Sequence, residues 1–283
     1  MHRTGRFAAV CIIPLAVPPI AAFGQPAQQE PASGTAAGEW MVTIGAWTFA
    51  QPSFEGSDEL AFGARPIFNM RRRGTREWLS LPTDHGGATL FSTDSFRIGP
   101  SFNFVQKRDD GDHAALRGLG SVDWALEAGA FAEFWPIENF RTRLEIRRGF
   151  NGHQGFAAEL SADGVRRLGE SWTLTAGPRL SLADGEYMNT YFSVSPAQAV
   201  ASGLAPFDAE GGLKSAGLGT SLTYQWTPQI ATTAFAEYAR LLGDAARSPI
   251  VQDRGSPDQL SVGIGVKYTF SVGIPNWPLF SRR

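Results

Sequence analysis

From Leu260 to Phe270 the chain alternates without a break. Leu260, Val262, Ile264, Val266, Tyr268 and Phe270 fall on one side, and Ser261, Gly263, Gly265, Lys267 and Thr269 on the other. A period of two belongs to a β-strand, since a helix would bring like residues back every three to four positions. The pattern recurs in Ala216–Trp226, where Leu218, Leu222, Tyr224 and Trp226 oppose Gly217, Gly219, Ser221, Thr223 and Gln225. In Trp172–Leu182, Trp172, Leu174, Ala176, Pro178, Leu180 and Leu182 oppose Thr173, Thr175, Gly177, Arg179 and Ser181. Further upstream, Phe140, Leu144, Ile146 and Phe150 oppose Arg141, Arg143, Glu145 and Arg147, and Val122, Trp124, Leu126, Ala128 and Phe134 oppose Asp123, Glu127, Gly129 and Glu133. Each segment is about ten residues long, the length that a tilted strand needs to cross a bilayer.

A soluble β-sandwich alternates too, and two further features separate the cases. Aromatic residues gather at strand ends: Trp226 and Tyr224, Phe134 and Trp135, Trp172, Tyr268 and Phe270. An amphipathic ring is stable at the level of lipid headgroups, so a membrane barrel has a reason for such girdles that a sandwich lacks. The connections also alternate in length. Tight links at 71–74, 92–95, 136–139, 168–171 and 227–229 alternate with longer ones at 51–58, around 84–87, 108–120, 151–155, 184–212 and 242–258. Bacterial outer-membrane barrels have short periplasmic turns and long outer loops. The predicted fold is therefore all-β, an antiparallel up-and-down transmembrane β-barrel in the outer membrane. It has twelve strands with both ends periplasmic, or ten if the short third and fourth strands, near Glu77–Leu81 and Ala88–Phe91, merge into other structure.

The N-terminus adds an address. Residues 1–24 carry His2, Arg3 and Arg6 ahead of the apolar run Phe7–Phe23, which Pro14, Pro18 and Pro19 interrupt. That is the layout of a cleaved secretory signal, with cleavage expected near Gln25. A membrane-spanning helix would need about 20 apolar residues and would not carry three prolines. Residues 25–39 are small, polar and proline-containing, a flexible lead-in. The barrel is expected over 40–271, with a C-terminal extension over 272–283. The single cysteine, Cys11, lies in the signal segment, so disulfides are not a source of stability in the mature chain. A net charge of −2 without a basic tract argues against nucleic acid as a partner.

The inward faces carry the candidate chemistry. Arg65, Arg97, Arg141, Arg143, Arg147, Arg179 and Lys267 are set against Asp123, Glu127, Glu133, Glu145, Glu159 and Asp163. Charges removed from water must be paired, so these residues read either as a salt-bridged filling of the lumen or as the lining of a charge-selective constriction. The long segment 184–212 holds a helix-like stretch, Pro196–Ser202, between Tyr187, Tyr191, Phe192 and the next strand, and reads as a plug, a lid or a contact surface. In the 242–251 loop, Asp244, Arg247 and Ser248-Pro249 form a turn-making set in which Asp244 pairs with Arg247 or accepts backbone hydrogens. The mature histidines, His85, His113 and His153, have no metal-ligand spacing. Asp84-His85 could orient a base, but no nucleophile is placed beside it, and His153 sits in a glycine turn. No catalytic residue, cofactor or metal is expected.

Several linked motifs resemble one family. They are Pro52-Ser-Phe-Glu-Gly56-Ser, Tyr187-Met-Asn-Thr-Tyr191-Phe192-Ser-Val, Gln198-Ala-Val-Ala-Ser202-Gly203-Leu, Gly211-Gly-Leu-Lys214 and Tyr238-Ala-Arg-Leu-Leu-Gly-Asp244-Ala-Ala-Arg-Ser248-Pro249-Ile-Val. Together they are similar to the MipA/OmpV family of outer-membrane proteins, over nearly all of the mature chain. The resemblance implies an outer-membrane barrel, embedded in lipid, whose loop residues Pro52, Gly56, Tyr187, Tyr191, Phe192, Ser202, Gly203, Asp244, Ser248 and Pro249 belong to the family motif. It also implies a scaffold that joins a lytic murein transglycosylase to a murein synthase, while other members are implicated in adhesion and in osmotic or antibiotic responses. The chain departs from the usual barrel ending by continuing past Phe270 with Ser271–Arg283.

Overall fold

The computed structural model of the chain describes residues 39–73, 81–82 and 84–273. The expected signal segment, most of the lead-in and residues 274–283 of the extension lie outside them. The described residues form one twelve-stranded antiparallel sheet that curls into a nearly closed barrel. Its strands are β1 (Glu39–Pro52), β2 (Leu60–Arg72), β3 (Gly86–Gly87), β4 (Phe91–Ser92), β5 (Phe96–Val105), β6 (Ala125–Ile137), β7 (Phe140–Asn151), β8 (Phe156–Leu168), β9 (Trp172–Ala183), β10 (Gly212–Gln225), β11 (Ile230–Leu241) and β12 (Asp258–Gly273). Each strand from β5 to β12 pairs with its sequence neighbour, and β12 closes onto β1, from Glu39 opposite Gly273 to Ala50 opposite Val262. Both ends of the described barrel therefore lie on the short-turn side, as the loop parity predicts.

Pairing of β12 with β1 satisfies edge backbone groups that a lipid environment would leave unpaired. The outward faces read from the alternation are the exposed ones: Leu218, Ile146, Ile264 and Val266 all face away from the lumen. Rings gather at both rims of this apolar band. On the short-turn side Trp172 packs on Tyr224 and Tyr224 on Trp226, each with centroids 4.6 Å apart, and on the long-loop side Phe104 stacks on Trp124 at 6.0 Å. These are the two girdles of an outer-membrane barrel.

The third and fourth strands differ in detail from the expected ones. Of the segment Glu77–Leu81 only Leu81 is among the described residues, and it is not in a strand. In place of Ala88–Phe91, β3 and β4 lie end to end along β5, with Gly86 opposite Phe102 and Ser92 opposite Arg97. Their registers differ by one residue, and between them the Leu90 N–H donates to the Ile98 carbonyl at 3.0 Å. This is one short descending strand with a bulge. The sequence reading of 84–87 as part of an outer loop is corrected here: Leu81, Pro82, Asp84 and His85 meet inward-facing side chains of the barrel wall, because those residues offer the ion-pair partners that a solvent loop would lack.

Five long connections cover one end of the barrel, and they hold its apolar core. Helices α1 (Gly185–Phe192) and α2 (Pro196–Ser202) lie in the β9–β10 connection, and α3 (Gly243–Arg247) and α4 (Pro249–Arg254) in the β11–β12 connection. Tyr187, Met188, Tyr191 and Phe192 of α1 pack with Ala245, Val251 and Leu241, while Phe54, Leu116, Leu119, Val194, Leu204 and Ile250 form a second cluster beside them. The helix at Pro196–Ser202 appears where the sequence places it. Ser195 and Gln198 cap its start reciprocally, and Gly203, at φ 76°, ends it. Of the plug, lid and contact-surface readings of this segment, the packing gives a lid.

Candidate functional site

The candidate site is the lumen, together with the layer where it meets the lid. Strand periodicity places Arg141, Arg143, Glu145 and Arg147 of β7 on one face, and register sets Arg143 opposite Glu133 of β6 and Arg141 opposite Asp163 of β8. Arg141 is completely buried and is held by three carboxylates. Its Nη2 donates to both oxygens of Asp84 at 2.8 Å, its Nε to Glu133 at 2.9 Å, and its Nη1 to Asp163 at 3.2 Å. Arg97 donates to Glu133 through Nε and Nη2 at 3.0 and 2.8 Å, and Trp135 Nε1 donates to the same carboxylate at 2.7 Å. Arg143 binds Glu145 and Glu133 while its guanidinium lies 3.9 Å from the centre of the Phe131 ring. Arg147 reaches Glu127, Glu145 and Glu159 at 3.0, 2.5 and 2.9 Å. Arg179 joins Asp163 at 2.7 Å. An isolated charge at these depths would be very costly; each guanidinium here meets at least one carboxylate, and Arg97 grips Glu133 as a two-pronged fork.

The inserted segment is tied into this network. Asp84 is bound to Arg141, His85 Nδ1 lies 3.1 Å from Glu145 and 3.5 Å from Glu159, and Arg65 donates to the Pro82 carbonyl. Of the predicted lumen charges, Arg65, Arg97, Glu127, Glu133, Arg141, Arg143, Glu145, Arg147, Glu159, Arg179 and Lys267 face inward. Asp123 does not: β6 begins at Ala125, so Asp123 is exposed in the loop before the strand. Periodicity extended one step too far placed it on the lumen face.

Above the network a second polar cluster joins the lumen to the lid. Glu127 accepts from Asn103 at 2.9 Å and lies 3.2 Å from Nε2 of His153, a fully buried side chain that packs against Tyr187 and Tyr191. The Tyr187 hydroxyl donates to Glu55 at 2.9 Å, and Lys214 Nζ donates to the same carboxylate at 2.5 Å. Burial, with Glu55 beside it, pushes the Tyr187 phenol well above the ordinary tyrosine range, and Tyr191 moves the same way for the same reasons. Arg108 donates to the Tyr191 carbonyl at 2.8 Å and closes the cluster from the 106–124 loop. His153 is thus more than the glycine turn that the sequence suggests. The only signal for it was the spacing that lets Gly149 leave room beneath the imidazole ring.

The remaining motif residues are structural. Pro52 ends β1 opposite Leu60. Gly56, at φ 95°, sits against Val251, where a Cβ would come within 2.6 Å of its methyl group. Asp244 does both things expected of it, pairing with Arg247 and accepting the Glu210 N–H at 2.8 Å. Ser248 caps α4, in which Pro249 is the first residue, and donates to the Phe192 carbonyl at 2.6 Å. Ser202 closes α2.

Among the described residues, His85, Glu145 and Glu159 bring ligand atoms within 4.8 Å of one another, which the histidine spacing alone did not suggest. Arg147 already bridges both carboxylates, so ion pairing accounts for the arrangement. Asp84 and His85 engage separate partners rather than each other.

Three solved structures are similar to the chain over most of its length. The COG4313 outer membrane channel from Pseudomonas putida F1 is 11% identical, with a TM-score of 0.44, over 88% of this chain and 100% of that one. The NanC porin is 8% identical, with a TM-score of 0.39, over 81% and 98%. The CymD monoaromatic hydrocarbon channel is 10% identical, with a TM-score of 0.38, over 84% and 89%. These likenesses concern the fold. Among curated protein sequences none matches significantly. The family model for MltA-interacting protein MipA matches residues 44–270, from the first strand to the last and through every lid motif, and the chain is therefore a member of the MipA family of outer-membrane β-barrels.

Proposed function

We propose that this barrel is a non-enzymatic scaffold of the outer membrane, linked to murein maintenance, and that it works through its surface rather than through its lumen. One observation carries the reading. Toward the short-turn end the lumen holds the Arg141–Glu133–Asp163–Asp84 network and the inserted segment, while the long-loop mouth lies under a lid with its own apolar core. A constriction that passed ions would leave charges hydrated along a continuous path, whereas buried, mutually saturated pairs stiffen the wall. The family description, MltA-interacting protein, supports a lytic murein transglycosylase as one partner, with a murein synthase as the second. By the loop-length rule the lid faces outward and the tight turns face the periplasm, where murein enzymes work.

Affinity capture from membranes, against an unrelated barrel of similar size, is expected to enrich a murein transglycosylase. Equal recovery from both baits would remove the scaffold reading. Planar-bilayer recording of the folded protein is expected to show no sustained conductance. A steady charge-selective current would favour the competing reading, a narrow pore lined by the arginines and glutamates.

A further inference from the structure

The two halves of the lumen differ in character. On the short-turn side, against Arg97 of the ion-pair network, lies a recess that is open to solvent. Lys267, Arg71 and Arg97 line it, with Trp47, Asn69 and Thr43, and among the described residues no carboxylate lines it. Arg97 is engaged with Glu133, and Arg71 has a partner of its own. Lys267 is different: it faces inward from β12, and among the described residues its ammonium group meets no carboxylate. In a lumen where the other inward cations of the network are matched, the recess is a local excess of positive charge. Trp47 lies over Gly265, where a Cβ would fall 2.2 Å from the indole. The missing side chain keeps one wall flat and apolar beside the cation. The Asn69 amide and the Thr43 hydroxyl add groups that both donate and accept.

We propose that this recess binds a small anionic sugar, carboxylated or phosphorylated, with Lys267 meeting the anionic group and the polar wall meeting ring hydroxyls. A few convergent polar groups around an apolar face are what orient a ligand of this size. The recess lies at the short-turn end of its strands, and the ligand enters from there. The proposal does not depend on the scaffold reading.

The test is isothermal titration of the full chain, folded in detergent micelles, with glucuronate, glucose 6-phosphate and glucose. At least one of the two acids is expected to give saturable binding that weakens with salt, while neutral glucose gives none. Which acid binds distinguishes the carboxylate from the phosphate. Lys267→Gln is expected to weaken binding about tenfold, the cost of one charge-assisted hydrogen bond, and Lys267→Arg to retain most of it. Heat-modifiable migration on a gel verifies that each variant is folded. If neither acid saturates, if glucose binds as well as the acids, or if Lys267→Gln binds like the parent, the proposal is wrong.

Discussion

Arg141 shows what a buried charge does in this lumen. Its guanidinium is out of contact with water and has Asp84, Glu133 and Asp163 as partners. Replacing it with methionine keeps most of the volume but takes a buried partner from three carboxylates, leaving Glu133 to Arg97, Asp163 to Arg179 and Asp84 with only the more distant Arg143. Breaking a buried pair by removing one member typically costs about 3–5 kcal/mol. We expect Arg141→Met to lower the denaturant midpoint of the detergent-folded barrel by an amount in that range. Arg148 is the control. It lies one residue beyond Arg147 on the same strand and faces outward beside Phe156, so Arg148→Ala should stay within about 0.5 kcal/mol of the parent. Equal destabilisation by the two substitutions would mean that the network does not hold the fold. The contrast follows from the pleat, which turns neighbouring residues to opposite sides of the wall.

At the scale of elements, α1 is the hinge between lumen and lid. Asp184 caps its first turn by accepting the Tyr187 N–H at 2.9 Å, and Tyr187 then reaches down to Glu55 and His153. Because the folded state raises the Tyr187 pKa above its ordinary value near 10, it holds that proton more tightly than the unfolded lid does. The resulting stability is complete below pH about 10 and is lost as the pH rises from there toward the folded value. The lid should therefore become sensitive to protease at alkaline pH, and Tyr187→Phe should move that onset upward. An onset that does not move in Tyr187→Phe would separate the lid from this titration. Sequence reading reached the elements unevenly for physical reasons. Strands such as Leu260–Phe270 were legible because lipid on one side and lumen on the other enforce a strict alternation. Pro196–Ser202 was legible because its caps are local. The path of Leu81–His85 was not. Pro82, Asp84 and Gly86 are ordinary turn formers, and it is Arg141, 57 positions away on β7, with Arg143 beside it, that draws Asp84 into the barrel. The role of His153 was hidden in the same way, since Glu127 and Tyr187 come to it from two other elements.

At the scale of the whole molecule, the lumen and its mouth are each packed, and the two layers rest on different physics. The lid is a conventional apolar core in which Phe192, Leu116, Ile250 and Val251 are fully buried, each contributing about 1.5–3 kcal/mol by its removal from water. The layer in the lumen is ionic and is anchored on strands β5 to β9, whose hydrogen-bonded ladders do not involve the lid. The two should therefore be separable. Replacing residues 185–210 with a short glycine-rich turn removes α1 and α2 and opens the lid while leaving the Arg141 network in place. Such a barrel is expected to fold with heat-modifiable migration, to lose thermal stability, and still to carry no sustained current in planar bilayers. Current through this variant would show that the lid alone keeps the lumen shut. Partner capture with the same variant then locates the working surface. If the murein enzymes bind at the tight turns, as the scaffold reading requires, removing the lid leaves their recovery unchanged. If recovery falls with the lid, binding depends on the outer face, and a partner confined to the periplasm could not meet that requirement.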